Sequence, residues 1–238
     1  MRIIAWNCNM CFRNKIDALL ELSPQLVVVP ECENIEKLKE SADFHLIKDA
    51  IWHGDNKHKG IGVFSFSSNI KLRTAEWYND NYKYIVPIHV ELEDESWLIF
   101  AIWACNPKLS KYSYVEQIYQ AILYYSNYIS EPNTLLIGDF NSNTIWDKEH
   151  QKYGSHSMLV NLLESFKITS SYHTFYDEQH GSETTPTLYM YRHIDKPYHI
   201  DYSFLSANFY NRLQNVQIGQ PEVYLSNSDH MPLILDFE

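Results

Sequence analysis

The sequence has few cysteines, fewer basic than acidic residues, and no long hydrophobic run. Its four cysteines are too few for the dense disulfide framework of a small secreted domain. It has 19 Lys and Arg against 30 Asp and Glu, a net charge of −11 that argues against tight, metal-free binding to DNA. No apolar run reaches transmembrane length, and no basic, apolar leader precedes the first predicted strand. These absences predict a reduced, cytoplasmic protein that does not act on membranes.

Cys8 and Cys11 form a single C-x-x-C pair. There is no second such pair and no nearby histidine, so a structural zinc site is not expected there. The pair follows the first predicted strand instead of opening a helix in a small βαβ unit, which argues against a thioredoxin-like role.

No long linker, low-complexity tract or repeat interrupts the 238 residues. This length is enough for a large core within one domain, so we expect a single domain over residues 1–238. Aromatic residues make up 15% of the chain, which predicts an interior rich in packed rings.

The most informative stretch is TLLIGDFNS, residues 134–142. Its apolar run predicts a strand buried on both faces that ends in a sharp turn. Asp139 and Asn141 lie two residues apart, so their side chains point the same way. Open α/β layers place their chemistry in such a crevice. A solvated turn is the alternative, because Gly-Asp and Asn-Ser pairs are common in turns.

Four other segments also carry a polar side chain at the end of an apolar run or inside one. Those side chains are Asn7, Glu31, Asp201 and the pair Asp229-His230. A carboxylate in such a place is costly unless it is paired or holds a metal. Mg²⁺ prefers oxygen ligands, and an Asp-His pair supplies an oriented imidazole. The residues alone therefore favour metal-assisted phosphoester hydrolysis, with an unrelated hydrolase as the alternative.

The rest of the pattern predicts strands and helices in alternation. Strands are expected at 2–6, 25–29, 44–47, 63–66, 70–73, 84–91, 96–102, 186–191, 199–206, 214–218 and 233–237, and helices at 15–22, 112–129 and 155–166. We expect loops at 53–59 and 171–181. His173 and His180 are expected to be surface or turn residues and not ligands, and Glu33 to be an exposed helix residue.

Five motifs, in this order, resemble the endonuclease/exonuclease/phosphatase (DNase I-like) superfamily. They are Trp6-Asn7, Pro30-Glu31, GDFNS at 138–142, HIDY at 199–202 and SDH at 228–230. The resemblance implies an α/β (α+β) fold, a four-layer αββα sandwich of two mixed β-sheets flanked by helices. It also implies a hydrolase that uses Mg²⁺, or Mn²⁺ in its place, to cleave phosphodiester or phosphomonoester bonds.

The same resemblance implies roles for the residues around the metal. Glu31 would be the main Mg²⁺ ligand, with Asn7 beside it. Asp139 would position or deprotonate the attacking water, and Asn141 would hold a phosphate oxygen.

The C-terminal motifs would supply the imidazole. Asp201 would orient His230, and His230 would contact the scissile phosphate. Asp229 would orient His230 or approach the metal.

One position departs from the family pattern. Many members have His or Tyr at the end of the strand that here reads Ile102-Trp103. An indole offers only an N–H donor and cannot replace a phenol or an imidazole acceptor. Either Trp103 stacks against the substrate, or Asn106 or Tyr112 supplies the phosphate contact.

Two functional hypotheses follow. The first is a nuclease or phosphatase, with nucleic acid as an expected partner. The acidic balance and the absence of a long basic insertion favour a small or single-stranded substrate. The alternative is a catalytically weakened binding or regulatory protein on the same fold, for which Trp103 is the best argument. The sequence makes no prediction about oligomeric state.

Overall fold

The computed structural model describes residues 1–106, 111–149 and 151–238, and its strands form two six-stranded sheets and one short hairpin. The strands are β1 (Arg2–Ala5), β2 (Leu26–Cys32), β3 (Asp49–Asn56), β4 (Lys59–Ser65), β5 (Lys71–Thr74), β6 (Ile85–Glu91), β7 (Ser96–Trp103), β8 (Thr134–Asp139), β9 (Ile168–Ser170), β10 (Leu188–Tyr189), β11 (Pro197–Tyr198), β12 (Asp201–Ser206), β13 (Leu213–Ile218) and β14 (Leu233–Phe237). The α-helices are α1 (Ile16–Leu20), α2 (Ile35–Leu38), α3 (Val115–Tyr124), α4 (Ser126–Ile129), α5 (His156–Ser165), α6 (Ser171–Tyr176), α7 (Ala207–Arg212) and α8 (Pro221–Tyr224).

The two large sheets have matching topologies. The first sheet has the strand order β13-β14-β1-β2-β4-β3, and the second has β5-β6-β7-β8-β12-β9. Within the described strands, each large sheet contains one parallel pair, β1 with β2 and β7 with β8, and its other pairs are antiparallel. A helical connection joins the members of each parallel pair, as parallel strands require. The mixed α/β sandwich predicted from the sequence is confirmed.

The side-chain alternation of β8 separates the two sides of the second sheet. Leu135 and Ile137 belong to the core that includes the first sheet, whereas Leu136 packs with α3 and α5. Asp139 continues the inter-sheet side of this alternation. Asp201 lies directly opposite Asp139 in the antiparallel register of β12 and β8. The period-two pattern therefore places both carboxylates between the sheets.

Gly138 makes the parallel pair of β7 and β8 possible just before Asp139. Its φ is +144°, and a Cβ atom there would lie 2.0 Å from the carbonyl oxygen of Ile102. No side chain fits at that distance, so glycine is required where the two backbones approach each other.

Several local predictions are wrong. The strand predicted at 44–47 is a 3-10 helix, Ala42–Leu46, whose start is capped by the Ser41 hydroxyl. The loop predicted at 53–59 is instead the tip of the β3–β4 hairpin. The strand β3 was not predicted, because its side chains are half-buried or exposed and show no buried alternation. The strand predicted at 186–191 has only two paired residues, Leu188 and Tyr189.

Two predicted surface segments are buried in part. The loop predicted at 171–181 begins with α6, which buries Tyr172 and His173. Glu33 is 1% exposed and not on the surface, because its carboxylate accepts a hydrogen bond from the Phe12 backbone N–H and pairs with Arg13. A single acidic residue beside a turn gives no local sign of such distant donors.

The three predicted helices are present. The helix predicted at 112–129 is present as α3 and α4, which are separated at Tyr125. All four cysteines are unpaired. None of the helices in the described ranges combines the length and apolarity needed to cross a bilayer.

Candidate active site

Asp139 lies at the centre of the candidate site, at the carboxyl end of β8, and is fully buried. Asn7, which follows β1, donates from Nδ2 to Asp139 Oδ2 at 2.9 Å, so this bond joins the two large sheets. Asn141 donates from Nδ2 to the same oxygen at 2.8 Å and from its backbone N–H to Oδ1 at 2.9 Å. Three donors therefore hold one carboxylate in a defined orientation.

The second Nδ2 hydrogen of Asn141 is also engaged, because Nδ2 donates to the carbonyl oxygen of Ala104 at 2.9 Å. Asn141 has a φ of +46°, in the left-handed region that asparagine tolerates better than most residues. To hold a phosphate oxygen as predicted, this amide would have to release one of its two present acceptors.

Asp201 and His230 form a buried pair next to Asp139. His230 Nδ1 lies 2.9 Å from Asp201 Oδ2, and both side chains are less than 10% exposed. The Ser228 hydroxyl accepts from the His230 backbone N–H at 3.1 Å and donates to the Asn7 carbonyl at 2.7 Å. The SDH and WN motifs are thus linked through Ser228.

The two central ionisable groups have shifted pKa values. Burial, with the charge of Asp201 added, raises the pKa of Asp139 to about 7, although the nearby His230 opposes this shift. Burial lowers the pKa of His230, but Asp201 and Asp139 outweigh it and raise the pKa to about 10. At neutral pH His230 therefore carries a proton, and Asp139 is able to exchange one.

Thr187 anchors the start of β12 and was missed by sequence reasoning. Its fully buried hydroxyl accepts hydrogen bonds from the backbone N–H groups of Ile200 and Asp201, both at 2.9 Å. Its carbonyl accepts from the Met231 N–H at 2.7 Å. Thr187 thus joins the segments that carry Asp201 and His230, and no local motif marks it.

Glu31 lies on a β-bulge of β2, with a φ of +60°. Its side chain is 19% exposed and pairs with the Lys59 ammonium of β4 at 3.0 Å. Lys59 also lies 5.1 Å from the ring centroid of Trp103. Lys59 was assigned to a loop from the sequence, so its charge next to Glu31 was not anticipated.

Trp103 is opposite Asp139 in the parallel register of β7 and β8. It is only 6% exposed, and its ring packs against Tyr84 at a centroid distance of 4.6 Å. Its predicted stacking against a substrate remains a prediction.

Asn106 and Tyr112 lie on either side of residues 107–110, which are outside the described ranges. Asn106 is exposed, and Tyr112 is half-buried with its ring 5.5 Å from that of Tyr153. Their predicted phosphate contacts also remain predictions.

Asp229 is half-buried and accepts a hydrogen bond from Asn9 Nδ2 at 2.9 Å. The backbone N–H of Asn9 in turn donates to Asn7 Oδ1 at 3.0 Å. Asn9 therefore bridges Asn7 and Asp229, and sequence reasoning did not assign it to the site.

The donor set is suited to a hard divalent cation. Asp139 and Asp201 each offer a carboxylate oxygen, and these oxygens and one nitrogen of His230 lie within 4.8 Å of one another. The Glu31 carboxylate and the side-chain carbonyl oxygen of Asn7 are further oxygen ligands, at the carboxyl ends of β2 and β1. Oxygen-rich surroundings of this kind fit Mg²⁺ or Mn²⁺.

Comparisons with known proteins point to one fold. No family model and no curated protein sequence matches this chain. A 3'-5' exonuclease (NExo) from Neisseria meningitidis matches with a TM-score of 0.74 and 18% identity, covering 100% of both chains. A Neisseria 3' phosphatase NExo bound to a product DNA hairpin matches with a TM-score of 0.73 and 18% identity, covering 100% of this chain and 99% of the other.

An AP endonuclease from Archaeoglobus fulgidus has a TM-score of 0.69 and 14% identity, with coverage of 100% and 99%. At these identities the likeness establishes the architecture. The chain shares the fold of these solved structures, which is the DNase I-like fold expected from the sequence.

Proposed function

We propose that this chain is a divalent-metal-dependent phosphoesterase that hydrolyses phosphodiester bonds, with nucleic acid as its substrate class. One observation carries the proposal: Asp139 is held by two asparagine amides beside the buried Asp201–His230 pair. A protein without catalytic or binding activity would not be expected to bury so many polar groups at the ends of β1 and β8, because burying polar groups costs free energy.

Glu31 and Asn7 would hold Mg²⁺, or Mn²⁺ in its place. When bound, the cation would neutralise charge on the phosphoryl oxygens and orient the substrate. Lys59 partly balances Glu31 and adds a positive charge on the same side of the site.

Asp139 would orient the attacking water and accept its proton, with Asn7 and Asn141 keeping the carboxylate in place. Asp201 holds Nδ1 of His230, which leaves the Nε2–H to donate to an oxygen of the scissile phosphate. Asp229 would act through Asn9 on the orientation of Asn7.

The proteins with similar structures support a nucleic-acid substrate, because they are an exonuclease, a 3' phosphatase bound to a product DNA hairpin and an AP endonuclease. The net charge of −11 favours short or single-stranded substrates over long duplexes. We also infer that residues 1–238 form one domain in the cytoplasm. The pairing of β14 with β1 supports the single domain, since it closes the N-terminal sheet with the last strand.

The test is Mg²⁺-dependent hydrolysis of single-stranded DNA, abasic duplex, RNA and a bis-aryl phosphodiester. Asp139→Asn is the blank, and Asp94→Asn is the matched control, because Asp94 is exposed in the β6–β7 turn at the other end of the second sheet. We expect cleavage of a nucleic acid by the wild type and the control, and none in the blank or with chelator. Equal rates for Asp139→Asn and wild type would refute the role of Asp139.

A binding or regulatory protein is the second candidate, favoured by the buried Trp103 and by the Lys59–Glu31 ion pair. It predicts no turnover of any substrate while Mg²⁺ still binds in calorimetry. Glu31→Gln separates the two: an enzyme loses turnover with its fold intact, and full activity in this variant would remove Glu31 from the metal site.

A further inference from the structure

A second cluster of ionisable side chains lies outside the candidate active site. We call it the histidine cluster; it comprises His156, His173, His180, His199 and Glu183. His173 is on α6, and His180 and Glu183 follow α6. His156 begins α5, and His199 lies two residues before Asp201, the first residue of β12. The sequence predicted His173 and His180 as surface or turn residues, but the structure brings them together with a carboxylate.

Three members of the cluster are close enough to share one ion. One potential ligand atom from each of His173, His180 and Glu183 lies within 4.8 Å of the other two. The His173 and His180 rings have a centroid distance of 3.5 Å. Zn–N bonds are about 2.0–2.1 Å, so ligand atoms on one tetrahedral ion are roughly 3.3 Å apart.

The Glu183 carboxylate is buried and lies within the histidine cluster. Its side chain is 4% exposed and accepts from His173 Nε2 at 3.0 Å, the Gly181 N–H at 3.0 Å and Asn143 Nδ2 at 3.1 Å. Within the described ranges no Lys or Arg pairs with it. A bound cation would stabilise this buried carboxylate, because its present partners are amide and imidazole N–H groups and not Lys or Arg.

The non-ligating ring nitrogens are already held. His173 Nδ1 lies 2.7 Å from Ser170 Oγ, and His180 Nδ1 lies 3.1 Å from His156 Nε2. His156 Nδ1 in turn lies 2.9 Å from Ser142 Oγ. Hydrogen bonds of this kind orient metal-binding histidines.

His199 provides an independent observation. Its Nδ1 lies 2.7 Å from the Thr185 carbonyl, which only accepts, so Nδ1 carries the proton. With the proton on Nδ1, a neutral ring has a bare lone pair on Nε2. Nε2 is buried and has no hydrogen-bond partner among the described residues. The ring lies 6.0 Å from that of His173.

We propose that the histidine cluster binds one Zn²⁺ ion, with His173, His180 and Glu183 as its protein ligands. Nitrogen-rich tetrahedral donors suit Zn²⁺, whereas the oxygen-rich candidate active site suits Mg²⁺, so the two sites select different metals. The proposal does not depend on phosphoesterase activity.

The ion would connect α6 and the segment after it to the candidate active site. Asn143, which binds Glu183, is two residues from Asn141, and His199 is two residues from Asp201. Zn²⁺ would therefore stabilise the segments that position two active-site residues.

The test starts from the full chain stripped with chelator and dialysed. Zn²⁺ is then titrated by calorimetry, the bound metal is counted by elemental analysis, and the thermal unfolding temperature is recorded. We expect one Zn²⁺ per chain and a higher unfolding temperature. His180→Gln and Glu183→Gln should weaken binding on the order of 100-fold or more. His193→Gln is the control and should bind as wild type does, because His193 is exposed on a nearby loop.

Two further measurements keep the result unambiguous. Co²⁺ in place of Zn²⁺ should give the visible absorption of a tetrahedral site in the wild type, which needs no variant to fold. Zn²⁺ binding should persist in Glu31→Gln and Asp139→Asn; its loss there would assign the ion to the candidate active site and overturn the proposal. A wild-type chain that binds no Zn²⁺ and shows no change in unfolding temperature also overturns it, leaving a hydrogen-bonded histidine network.

Discussion

Thr187→Val tests how the start of β12 is held. The substitution keeps the shape of the side chain but replaces the hydroxyl that accepts two backbone N–H groups, those of Ile200 and Asp201, at 2.9 Å each. Thr187 and Asp201 are 0% and 2% exposed, so water cannot replace the lost acceptor. Two buried donors are left unsatisfied by a nearly isosteric change.

The expected loss of stability follows from that count. Each of the two buried donors left without a partner costs about 1–3 kcal/mol, and the added methyl group recovers about 1 kcal/mol, so we expect a net loss of about 1–5 kcal/mol. Thr187→Ser keeps the acceptor and removes only a buried methyl group, at a cost of about 1 kcal/mol. For a domain of this size each kcal/mol lowers the melting temperature by about 2–4 °C.

Urea unfolding of the wild type and both variants provides the measurement, with m-values compared to establish a common unfolded state. Activity should fall through kcat more than through KM in Thr187→Val, because Asp201 positions His230 and does not itself bind substrate in the proposed mechanism. A valine variant as stable as the serine variant would refute the argument that these two hydrogen bonds hold the strand.

Three further changes follow from single contacts. Gly138→Ala should destabilise the fold by about 3–5 kcal/mol in urea unfolding, because its Cβ would meet a carbonyl oxygen at 2.0 Å; a smaller loss than 1 kcal/mol would contradict the close strand approach. Glu33→Ala should cost about 2–4 kcal/mol, whereas Glu40→Ala, with a side chain 61% exposed, should stay within about 0.5 kcal/mol; equal losses would be inconsistent with the burial of the first. Asp201→Asn should move the pKa of His230 down from about 10 in an NMR titration and lower kcat on the order of 10²–10⁴-fold; an unchanged pKa would show that Asp201 is not its main partner.

The sequence predicted the strands of the sandwich where the pattern is local. Runs such as residues 134–137 and 233–237 are apolar enough to identify buried strands, and the side-chain alternation in 199–206 placed Asp201 on the face opposite Tyr202. These signals are readable because a strand repeats every two residues and a helix every 3.6, and burial imposes that period on neighbouring residues. The same logic brought Asn7, Asp139 and Asp201 to one end of the sheets.

The sequence did not predict burial correctly where a side chain is buried by partners from distant segments. Glu33 was predicted as exposed because nothing beside it indicates that the Phe12 N–H and Arg13 reach it from a separate segment. His173 and His180 were predicted as loop residues because α6, which carries His173 and precedes His180, is short and its buried face is defined by packing against β9, β12 and β13.

The amino-acid sequence by itself determined which segments are apolar strands and which polar residues end them, including the carboxylates of the candidate site. The architecture of the sandwich was implied by the resemblance of five motifs to a known superfamily. Only the tertiary structure decided that Lys59 neutralises Glu31, that Thr187 holds Asp201, and that the histidine cluster surrounds a buried carboxylate. The physical reason is the separation along the chain of the residues involved. Periodic burial is visible in neighbouring residues, whereas each of these contacts joins segments that strand register and sheet packing bring together.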